Sequence, residues 1–207
     1  SKFSPRILLI QKECGSVINL QMRTPLGNIS PTVEHFGSTC IAEQCGNELV
    51  SLAARRGQSE TLKDNIEQEF GMRLPKVGGV VSGTDASAWW TGPDQWMIEA
   101  TLNAKMELSS RIIQRIRKSG SVVDQSDGWV RYDINGSEVI SVLEKLTTID
   151  VQVMQSGTVV RTAIHHIGCF IRCETAGEGF SVYGQRSSAI SLHEALVGTA
   201  LGVFPAK

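Results

Sequence analysis

The sequence has no excess of charge of either sign and no long apolar run. Over 207 residues, 20 Lys and Arg face 21 Asp and Glu, so the formal net charge is -1. A protein that binds nucleic acid needs clustered positive charge, and that class is disfavoured. Runs such as Ile7–Ile10 are far shorter than the about 20 residues that cross a bilayer. The N-terminal stretch also lacks the apolar core and cleavage site of a signal peptide, which favours a cytoplasmic protein without membrane contact.

Disulfide bonds are not indicated, because the five cysteines are odd in number and follow no disulfide framework. Two groups of residues raise the alternative of a metal site: His35 with Cys40 and Cys45, and His165 and His166 with Cys169 and Cys173. The second group lies in a segment, 161–173, whose β-branched residues predict one continuous strand. On it Cys169 and Cys173 would stand ~13 Å apart, which one zinc ion with sulfur bonds of ~2.3 Å cannot bridge. We interpret them as small buried hydrophobic residues and expect no metal site.

Motifs that would mark an active site are also absent. The sequence has no Gly-x-Ser-x-Gly nucleophile elbow, no Gly-x4-Gly-Lys phosphate loop and no dinucleotide fingerprint. Two carboxylate pairs lie in predicted turns, where such side chains usually bond to the backbone or the solvent: Asp124 with Asp127, and Glu174 with Glu178. As neighbours on a strand, His165 and His166 would face opposite ways, and His193 has no evident partner. We therefore expect no self-sufficient active site in this chain.

Before residue 80 the pattern predicts one strand and two helices. Residues 17–23 are typical of a strand, and the Pro, Gly and Asn residues of 24–31 indicate a turn. A helix is expected from Asn47 to Gly57, with these residues on its apolar side: Leu49, Val50, Leu52 and Ala53. A second helix is expected from Ser59 to Gly71, because apolar residues recur at every fourth position: Leu62, Ile66 and Phe70.

The stretch WWTGPDQWMIEA, residues 89–100, holds three of the four tryptophans. Pro93 presets φ at the second position of a turn, so a type I turn over GPDQ joining two antiparallel strands is predicted. Trp89 and Trp90 must point to opposite faces of their strand. In a sheet with one buried face, one of the two would point outward, to solvent, a ligand or another polypeptide.

The remaining segments alternate between strands and helices. A helix capped by Asn103 is expected to end at Gly120, with its apolar side formed by Met106, Leu108, Ile112, Ile113 and Ile116. Two strands follow on either side of a Ser-Asp-Gly turn, up to Asn135 and Gly136. Then come a helix capped by Ser137, the long strand over 159–173, a turn over 175–179, a strand over 180–185 and a helix capped by Ser187 or Ser188.

The order strand, helix, strand, turn, strand, helix thus occurs once before residue 120 and once after it. This internal pseudo-repeat is inferred from order and spacing, because few residues agree. It predicts an α+β fold of two similar halves, 1–120 and 121–207, packed as one unit. Each half would have an antiparallel sheet covered by helices.

Several motifs in this order resemble the gamma subunit of heterotetrameric sarcosine oxidase. They are W-x-GPD-x-W, VVD-x-S-D-x-W-V, KLTTIDV and RT-x-I-x-H-x-G, and the likeness extends from about residue 4 to about residue 200. The matching positions are Trp90, Gly92, Pro93, Asp94, Trp96, Asp124, Ser126, Asp127, Asp150, Arg161, Thr162 and Gly168.

The resemblance implies a fold related to the folate-binding aminomethyltransferases, in a subunit that carries no cofactor and packs mainly on the alpha subunit. The alpha, beta and delta subunits would hold NAD, tetrahydrofolate, FAD, FMN and zinc. Their complex would oxidise sarcosine to glycine, produce hydrogen peroxide and transfer the one-carbon unit to tetrahydrofolate. Three alternatives stay open: a stand-alone folate-binding protein, a gamma-type subunit of a related enzyme such as N-methylglutamate dehydrogenase, and a metal-binding module.

The tryptophans are the candidate contacts with a partner subunit, because buried tryptophan is the commonest hot-spot residue in interfaces. We hypothesise that the hairpin around 89–100 helps to bind the alpha subunit. The candidate interface residues are Trp89, Trp90, Trp96 and Trp129, and no catalytic, cofactor-binding or metal-binding residue is assigned.

Overall fold

The structure, a computed structural model, describes residues 22–102 and 106–204, which form two antiparallel sheets and four α-helices. The strands are β1 (Val33–Phe36), β2 (Thr39–Gln44), β3 (Asn47–Ala54), β4 (Val80–Ser82), β5 (Ala86–Gly92), β6 (Gln95–Thr101), β7 (Gly120–Asp124), β8 (Trp129–Asn135), β9 (Thr158–Ile164), β10 (Ile167–Thr175) and β11 (Gly179–Gln185). The α-helices are α1 (Ser59–Phe70), α2 (Leu108–Ile116), α3 (Val139–Leu146) and α4 (Ala189–Val203), and a short 3-10 helix, Arg186–Ser188, precedes α4.

The predicted α+β pseudo-repeat is present, but each copy has three strands between its two helices where two were predicted. One copy runs β3, α1, β4, β5, β6, α2, and the other runs β8, α3, β9, β10, β11, α4. The two sheets have the same internal order, β4-β5-β6-β3 and β9-β10-β11-β8. Each sheet is extended by a strand that precedes the other copy: β7 pairs with β3, and β2 pairs with β8. The two copies are therefore joined by two exchanged strands, β2 and β7.

The core has three layers of buried side chains. Between the five-stranded sheet and helices α1 and α2 lie residues such as Leu52, Ile66 and Ile98. A second cluster fills the space between the six-stranded sheet and helices α3 and α4. A third, smaller cluster contains residues of both sheets: Leu49, Trp89, Met97, Val159, Phe170 and Tyr183. The sheets therefore face each other across this inter-sheet layer, and their outer faces carry the helices.

The prediction of a helix over 47–57 is wrong, because Asn47–Ala54 is strand β3. This strand lies between β6 and β7 in the five-stranded sheet. Leu49 packs in the inter-sheet layer, whereas Val50 and Leu52 pack against the helices. A central strand buried on both faces has apolar residues at adjacent positions. A short buried helix can show the same pattern, so the pattern does not distinguish the two.

The prediction of one continuous strand over 159–173 is also wrong. Strands β9 and β10 form a hairpin in which Ile164 pairs with Ile167. The two residues between them, His165 and His166, have φ values of 46° and 69°. Positive φ at both central residues is the requirement of a type I′ turn, and His is among the non-glycine residues enriched there. His165 therefore does not share a strand face with Cys169.

Replacing His166 by glycine should stabilise this hairpin. Glycine adopts positive φ without the steric cost of a Cβ, so the free energy of unfolding should rise by about 1 kcal/mol. Chemical denaturation monitored by circular dichroism measures the change. The matched control is His35→Gly on strand β1, where glycine gains nothing and should lower stability. A loss of stability in both variants would contradict the assignment of the turn.

Helix α1 confirms the predicted second helix at both ends. It spans Ser59–Phe70, buries its apolar side and ends at Gly71, whose φ of 66° is left-handed. Its first residue contacts the predicted hairpin, because Ser59 Oγ donates a hydrogen bond to Asp94 Oδ1 over 2.8 Å. The hairpin of β5 and β6 is present, but Asp94 has a φ of 54°. A type I turn requires negative φ there, so the predicted turn type is wrong.

Other predicted helix ends differ from those observed. Helix α3 begins after Glu138, and Ser137 Oγ instead lies 2.6 Å from Ser38 Oγ. Helix α2 ends at Ile116, since Gly120 already belongs to β7, and Ile113 is exposed on its outer side. Ser188 precedes α4 but makes no side-chain capping bond. The predicted cap Asn103 and most of the predicted strand 17–23 lie outside the described residues. Among the helices that the structure describes, none has the length and apolarity needed to cross a bilayer.

Candidate partner interface and inter-sheet layer

Two of the four candidate interface tryptophans are buried within this chain. Trp89 is 0 % exposed in the inter-sheet layer, with its ring centroid 4.7 Å from that of Tyr183. Trp96 is 3 % exposed on the opposite, helix-covered face, where its Nε1 donates to the Pro75 carbonyl over 2.9 Å. Both side chains are covered by residues of their own chain, which removes them from the surface that a partner could contact.

Trp89 and Trp90 do point to opposite faces, but neither is an outward tryptophan of the kind predicted. Trp90 is half-buried and packs against the cluster under α1 and α2. The prediction assumed that one face of this sheet is open. In the structure both faces are covered, one by helices and the other by the second sheet, so each tryptophan has a packing role.

Trp129 lies at the start of β8 and remains partly accessible. Its Nε1 donates to Gln125 Oε1 over 3.3 Å, and its ring centroid is 5.6 Å from that of Phe170. Two open cavities of about 670 Å³ and 280 Å³ share Gln125, Trp129 and Gln185 as lining residues. We call this pair of cavities the Trp129 cleft.

The inner face of the six-stranded sheet explains where this cleft lies. Three rows of side chains run across β8, β11, β10 and β9, because neighbouring strands pair in register. The rows, in that strand order, are Asp133, Ser181, Arg172 and Val159; then Arg131, Tyr183, Phe170 and Arg161; then Trp129, Gln185, Gly168 and Ala163. The third row leads out of the inter-sheet layer, since Gly168 and Ala163 are exposed.

A buried cluster of charged groups occupies the inter-sheet layer beside Trp89. Glu99 of β6 accepts hydrogen bonds at Oε2 from Tyr183 Oη (2.8 Å) and from a terminal guanidinium nitrogen of Arg131 (2.9 Å). Arg172 approaches the same oxygen at 3.4 Å and lies 4.8 Å from the Trp89 ring centroid. Glu99 thus joins the five-stranded sheet to three strands of the other sheet.

The cluster extends to further acidic groups of the six-stranded sheet. Arg131 Nε donates to Asp133 Oδ1 over 2.7 Å, and Ser181 Oγ donates to the same oxygen over 2.7 Å. Arg172 Nε lies 3.0 Å from Glu174 Oε1, an ion-pair distance, although its N–H does not point at that oxygen. Two arginines therefore share three carboxylates: Glu99, Asp133 and Glu174.

Tyr183 is held in its neutral form within this cluster. Burial is the largest cause that raises the pKa of its phenol well above the ordinary value; Arg172 opposes this effect and Glu99 adds to it. A neutral phenol keeps its proton and can donate to the Glu99 carboxylate. The arrangement therefore binds the two sheets together through charge-assisted hydrogen bonds.

In the first group of histidine and cysteine residues, His35 and Cys40 are cross-strand partners on β1 and β2, and Cys45 is exposed after β2. Cys169 and Cys173 lie in the helix-side cluster of the six-stranded sheet, which confirms their assignment as small buried residues. Burial raises the pKa of the Cys169 thiol to about 11, so it is protonated at neutral pH. His193 has a partner after all, because its Nε2 lies 3.3 Å from Glu34 Oε1 on β1. In the described part of the chain no group of three or more His, Cys, Asp or Glu could hold a metal ion.

The members of the two carboxylate pairs have different surroundings. Asp124 Oδ1 accepts hydrogen bonds from the backbone N–H and the hydroxyl of Ser126, at 2.9 and 2.7 Å, as expected of a turn residue. Asp127 is exposed and lines the larger cavity of the Trp129 cleft. Glu174 belongs to the buried charge cluster, whereas Glu178 is exposed in the turn after β10.

Sequence reasoning missed the charge cluster. Its members interrupt apolar strands in segments such as MIEA and FIRC, with Glu99 and Arg172 each among hydrophobic neighbours. A charged residue inside such a run is rarely buried without a partner, and this signal could have indicated an ion pair.

Among solved structures, two similar folds stand out. One is "Heterotetrameric Sarcosine Oxidase from Corynebacterium sp. U-96 in complex with pyrrole 2-carboxylate". One chain of that structure matches with a TM-score of 0.71 and 19 % identity. The match covers 84 % of the present chain and 90 % of the matched chain. The other is the glycine cleavage system aminomethyltransferase T from Bartonella henselae, with a TM-score of 0.57 and 14 % identity. That match covers 75 % of this chain and 44 % of the aminomethyltransferase. At these identities, both establish the fold.

At the level of sequence, no curated protein matches this chain significantly. A family model does match it: "Sarcosine oxidase, gamma subunit family", over residues 56–196. The matched region begins just before α1 and reaches into α4, so it covers more than half of the chain. The chain therefore belongs to the sarcosine oxidase gamma subunit family.

Proposed function

We propose that this chain is the non-catalytic gamma subunit of a heterotetrameric, flavin-dependent sarcosine oxidase and that it packs mainly on the alpha subunit. The observation that carries this proposal, besides the family, is the filling of the inter-sheet layer. Trp89, Tyr183 and the Glu99 charge cluster occupy the space between the two sheets: Trp89 makes ring contacts with Tyr183 and Arg172, and Tyr183 donates a hydrogen bond to Glu99. A layer filled in this way supports a structural role.

In the proposed complex, the chemistry belongs to other subunits. Sarcosine is oxidised to glycine with production of hydrogen peroxide, and the one-carbon unit passes to tetrahydrofolate. FAD, FMN, NAD, tetrahydrofolate and zinc are held by the alpha, beta and delta subunits. The gamma chain contributes surface and stability, and its cytoplasmic location stays a prediction.

Purification of the chain alone and in complex tests this proposal. Co-expression with the alpha, beta and delta subunits should yield a complex that oxidises sarcosine, whereas the isolated chain should be colourless and inactive. Omitting the chain should lower the yield or thermal stability of the alpha subunit. An isolated chain that oxidises sarcosine by itself would overturn the proposal.

The same experiment distinguishes the alternatives. Saturable binding of tetrahydrofolate to the isolated chain, without assembly, would favour a stand-alone folate-binding protein. A complex that oxidises N-methylglutamate in preference to sarcosine would identify the related dehydrogenase. Stoichiometric zinc in the isolated chain would favour a metal-binding module.

The proposed interface keeps the two tryptophans that retain accessible surface, Trp90 and Trp129. Truncating a tryptophan at the centre of an interface commonly costs about 2 kcal/mol or more, which corresponds to roughly a 30-fold loss of affinity. We expect Trp129→Ala to weaken binding of the alpha subunit by about this factor, and Trp90→Ala to weaken it less, because Trp90 also packs in the core. Surface plasmon resonance against the purified alpha subunit measures both.

Val153→Ala is the control for this measurement, since Val153 is a large exposed hydrophobic residue in the segment between α3 and β9. Its affinity should equal that of the wild type. If both tryptophan variants bind as tightly as this control, the tryptophans are not interface residues.

A further inference from the structure

The inner face of the β9–β10 hairpin is covered at one end and open at the other. Val159 and Phe170 are buried in the inter-sheet layer. Further toward the turn, on the same face, Arg161, Ala163 and Gly168 are exposed. The five-stranded sheet therefore leaves the turn end of the hairpin uncovered, and this uncovered part borders the Trp129 cleft.

Nothing in the fold of this chain requires glycine at position 168. It lies inside β10, its φ is not in the left-handed region, and a Cβ at this position would meet no atom within 4 Å. Glycine inside a strand costs about 0.5–1 kcal/mol relative to alanine. A strand glycine often marks a place where a ligand or another backbone approaches closely. Its cross-strand partner, Ala163, is equally small.

The row that contains these small residues has one large member. Trp129 pairs with Gln185, and Gly168 pairs with Ala163, while the pairing of Cys169 with Gly184 places Gly168 level with Gln185. Side-chain size therefore decreases along the row, from the indole of Trp129 through the amide of Gln185 to Gly168 and Ala163. The result is a shallow trough whose wall is Trp129 and whose floor is exposed backbone.

The charge of the trough is positive. Arg161 is exposed beside it, with its guanidinium 5.9 Å from the Phe170 ring centroid, and no carboxylate of the described residues lies within ion-pair distance of it. Arg186, on the other side of Trp129, lines the larger cavity and donates to the Arg23 carbonyl. Asp127 supplies the one carboxylate among the residues that line the two cavities.

From this geometry we infer that the trough beside Trp129 docks an extended, acidic segment of the alpha subunit, with a carboxylate paired to Arg161 and the backbone lying over Gly168 and Ala163. The amides of Gln125 and Gln185 can bond to the peptide groups of such a segment, since each amide offers donors and an acceptor. An extended protein segment fits better than a globular surface, because only a narrow element reaches a glycine floor beside an indole wall. The inference rests on the proposed function and specifies the surface through which this chain would bind the alpha subunit.

Gly168→Leu provides the sharpest test, because space for the new side chain exists in the free chain. The isolated variant should fold with an unchanged or higher melting temperature, and its affinity for the alpha subunit should fall at least tenfold. The matched control is Gly198→Leu on the outer side of α4, where a Cβ also meets no atom within 4 Å. This control should bind the alpha subunit like the wild type.

Arg161→Glu tests the charge. It should weaken binding at least tenfold at low salt, and the difference from wild type should shrink as salt screens the pair. Arg56→Glu, an exposed arginine between β3 and α1, is its control. If the wild-type chain binds the alpha subunit and both trough variants bind equally well, the docking site is wrong and the proposed function stands. If the wild-type chain does not bind the alpha subunit at all, both proposals fail.

Discussion

Replacing Glu99 by alanine is expected to lower the free energy of unfolding by about 3–5 kcal/mol, the usual cost of removing one partner of a buried ion pair. Glu99 Oε2 accepts from Tyr183 and Arg131 and lies 3.4 Å from Arg172. Arginine does not lose its proton in proteins, so both guanidinium groups would keep their charge without this carboxylate. A typical domain is stable by about 5–15 kcal/mol, so the variant should lose a large fraction of its stability.

Urea denaturation of the isolated chain measures this effect. Glu178→Ala removes an exposed carboxylate in the turn before β11 and should change the free energy of unfolding by no more than about 0.5 kcal/mol. Tyr183→Phe keeps the ring against Trp89 and removes only the hydroxyl donor, so it should lie between the two, at a loss of about 1–2 kcal/mol. Equal stability of the Glu99 and Glu178 variants would mean that the cluster does not hold the sheets together.

The second large effect is expected at Trp89, where alanine should cost about 3–5 kcal/mol. The indole is 0 % exposed, and its ring centroid lies 4.7 Å from that of Tyr183 and 4.8 Å from the Arg172 guanidinium. Its removal leaves a cavity between two sheets, which cannot close because each sheet is also fixed by its helices. The guanidinium of Arg172 would lose the nearer of two aromatic rings and keep Tyr183, whose ring centroid is 5.6 Å away.

Trp90→Ala is the matched control, since the same substitution is made one residue along the same strand. Trp90 is half-buried at the edge of the helix-side cluster, so part of its surface is already in water and the loss of stability should be smaller. The two melting curves therefore report which face of β5 is the more deeply buried. Equal losses would contradict the assignment of Trp89 to the inter-sheet layer.

Elements with an unambiguous local signal could be predicted from the sequence. In α1, Leu62, Ile66 and Phe70 recur at helical spacing before Gly71, and the structure has the helix between the same residues. The hairpin of β5 and β6 was similarly marked by a Gly-Pro-Asp turn between β-branched and aromatic residues. Such signals act within a few residues, so no knowledge of the rest of the fold is needed.

Strand β3 and the β9–β10 turn could not be predicted, for different physical reasons. In β3, Leu49 and Val50 are both apolar because each face of the sheet is covered, and the covering elements are distant in sequence. In the turn, the two residues with positive φ are His165 and His166, whereas the residues that usually indicate positive φ in a sequence are Gly and Asn. Pairing of the flanking strands imposes the turn, and local preference does not.

The candidate interface illustrates the same limit. The tryptophans were identified by residue type, but type does not distinguish Trp89, which is buried between the sheets, from Trp129, which borders a cleft. In the sequence, Gly168 and Arg161 are recognisable as parts of a motif, but nothing indicates that they form a surface together. They acquire that meaning only when pairing of β9 with β10 places them on an uncovered face beside Trp129.

Residue order, spacing and polarity along the chain were sufficient to predict the family, an α+β fold repeated in two copies, and the burial of Cys169 and Cys173. Three features appear only in the folded chain: β2 and β7 cross between the copies, Glu99 meets two arginines from the opposite sheet, and Trp90 and Trp129 keep accessible surface. These facts depend on contacts between residues far apart in the chain. Such contacts form when the two sheets pack together and exclude water from the layer between them, so they cannot be predicted from the sequence of either sheet alone.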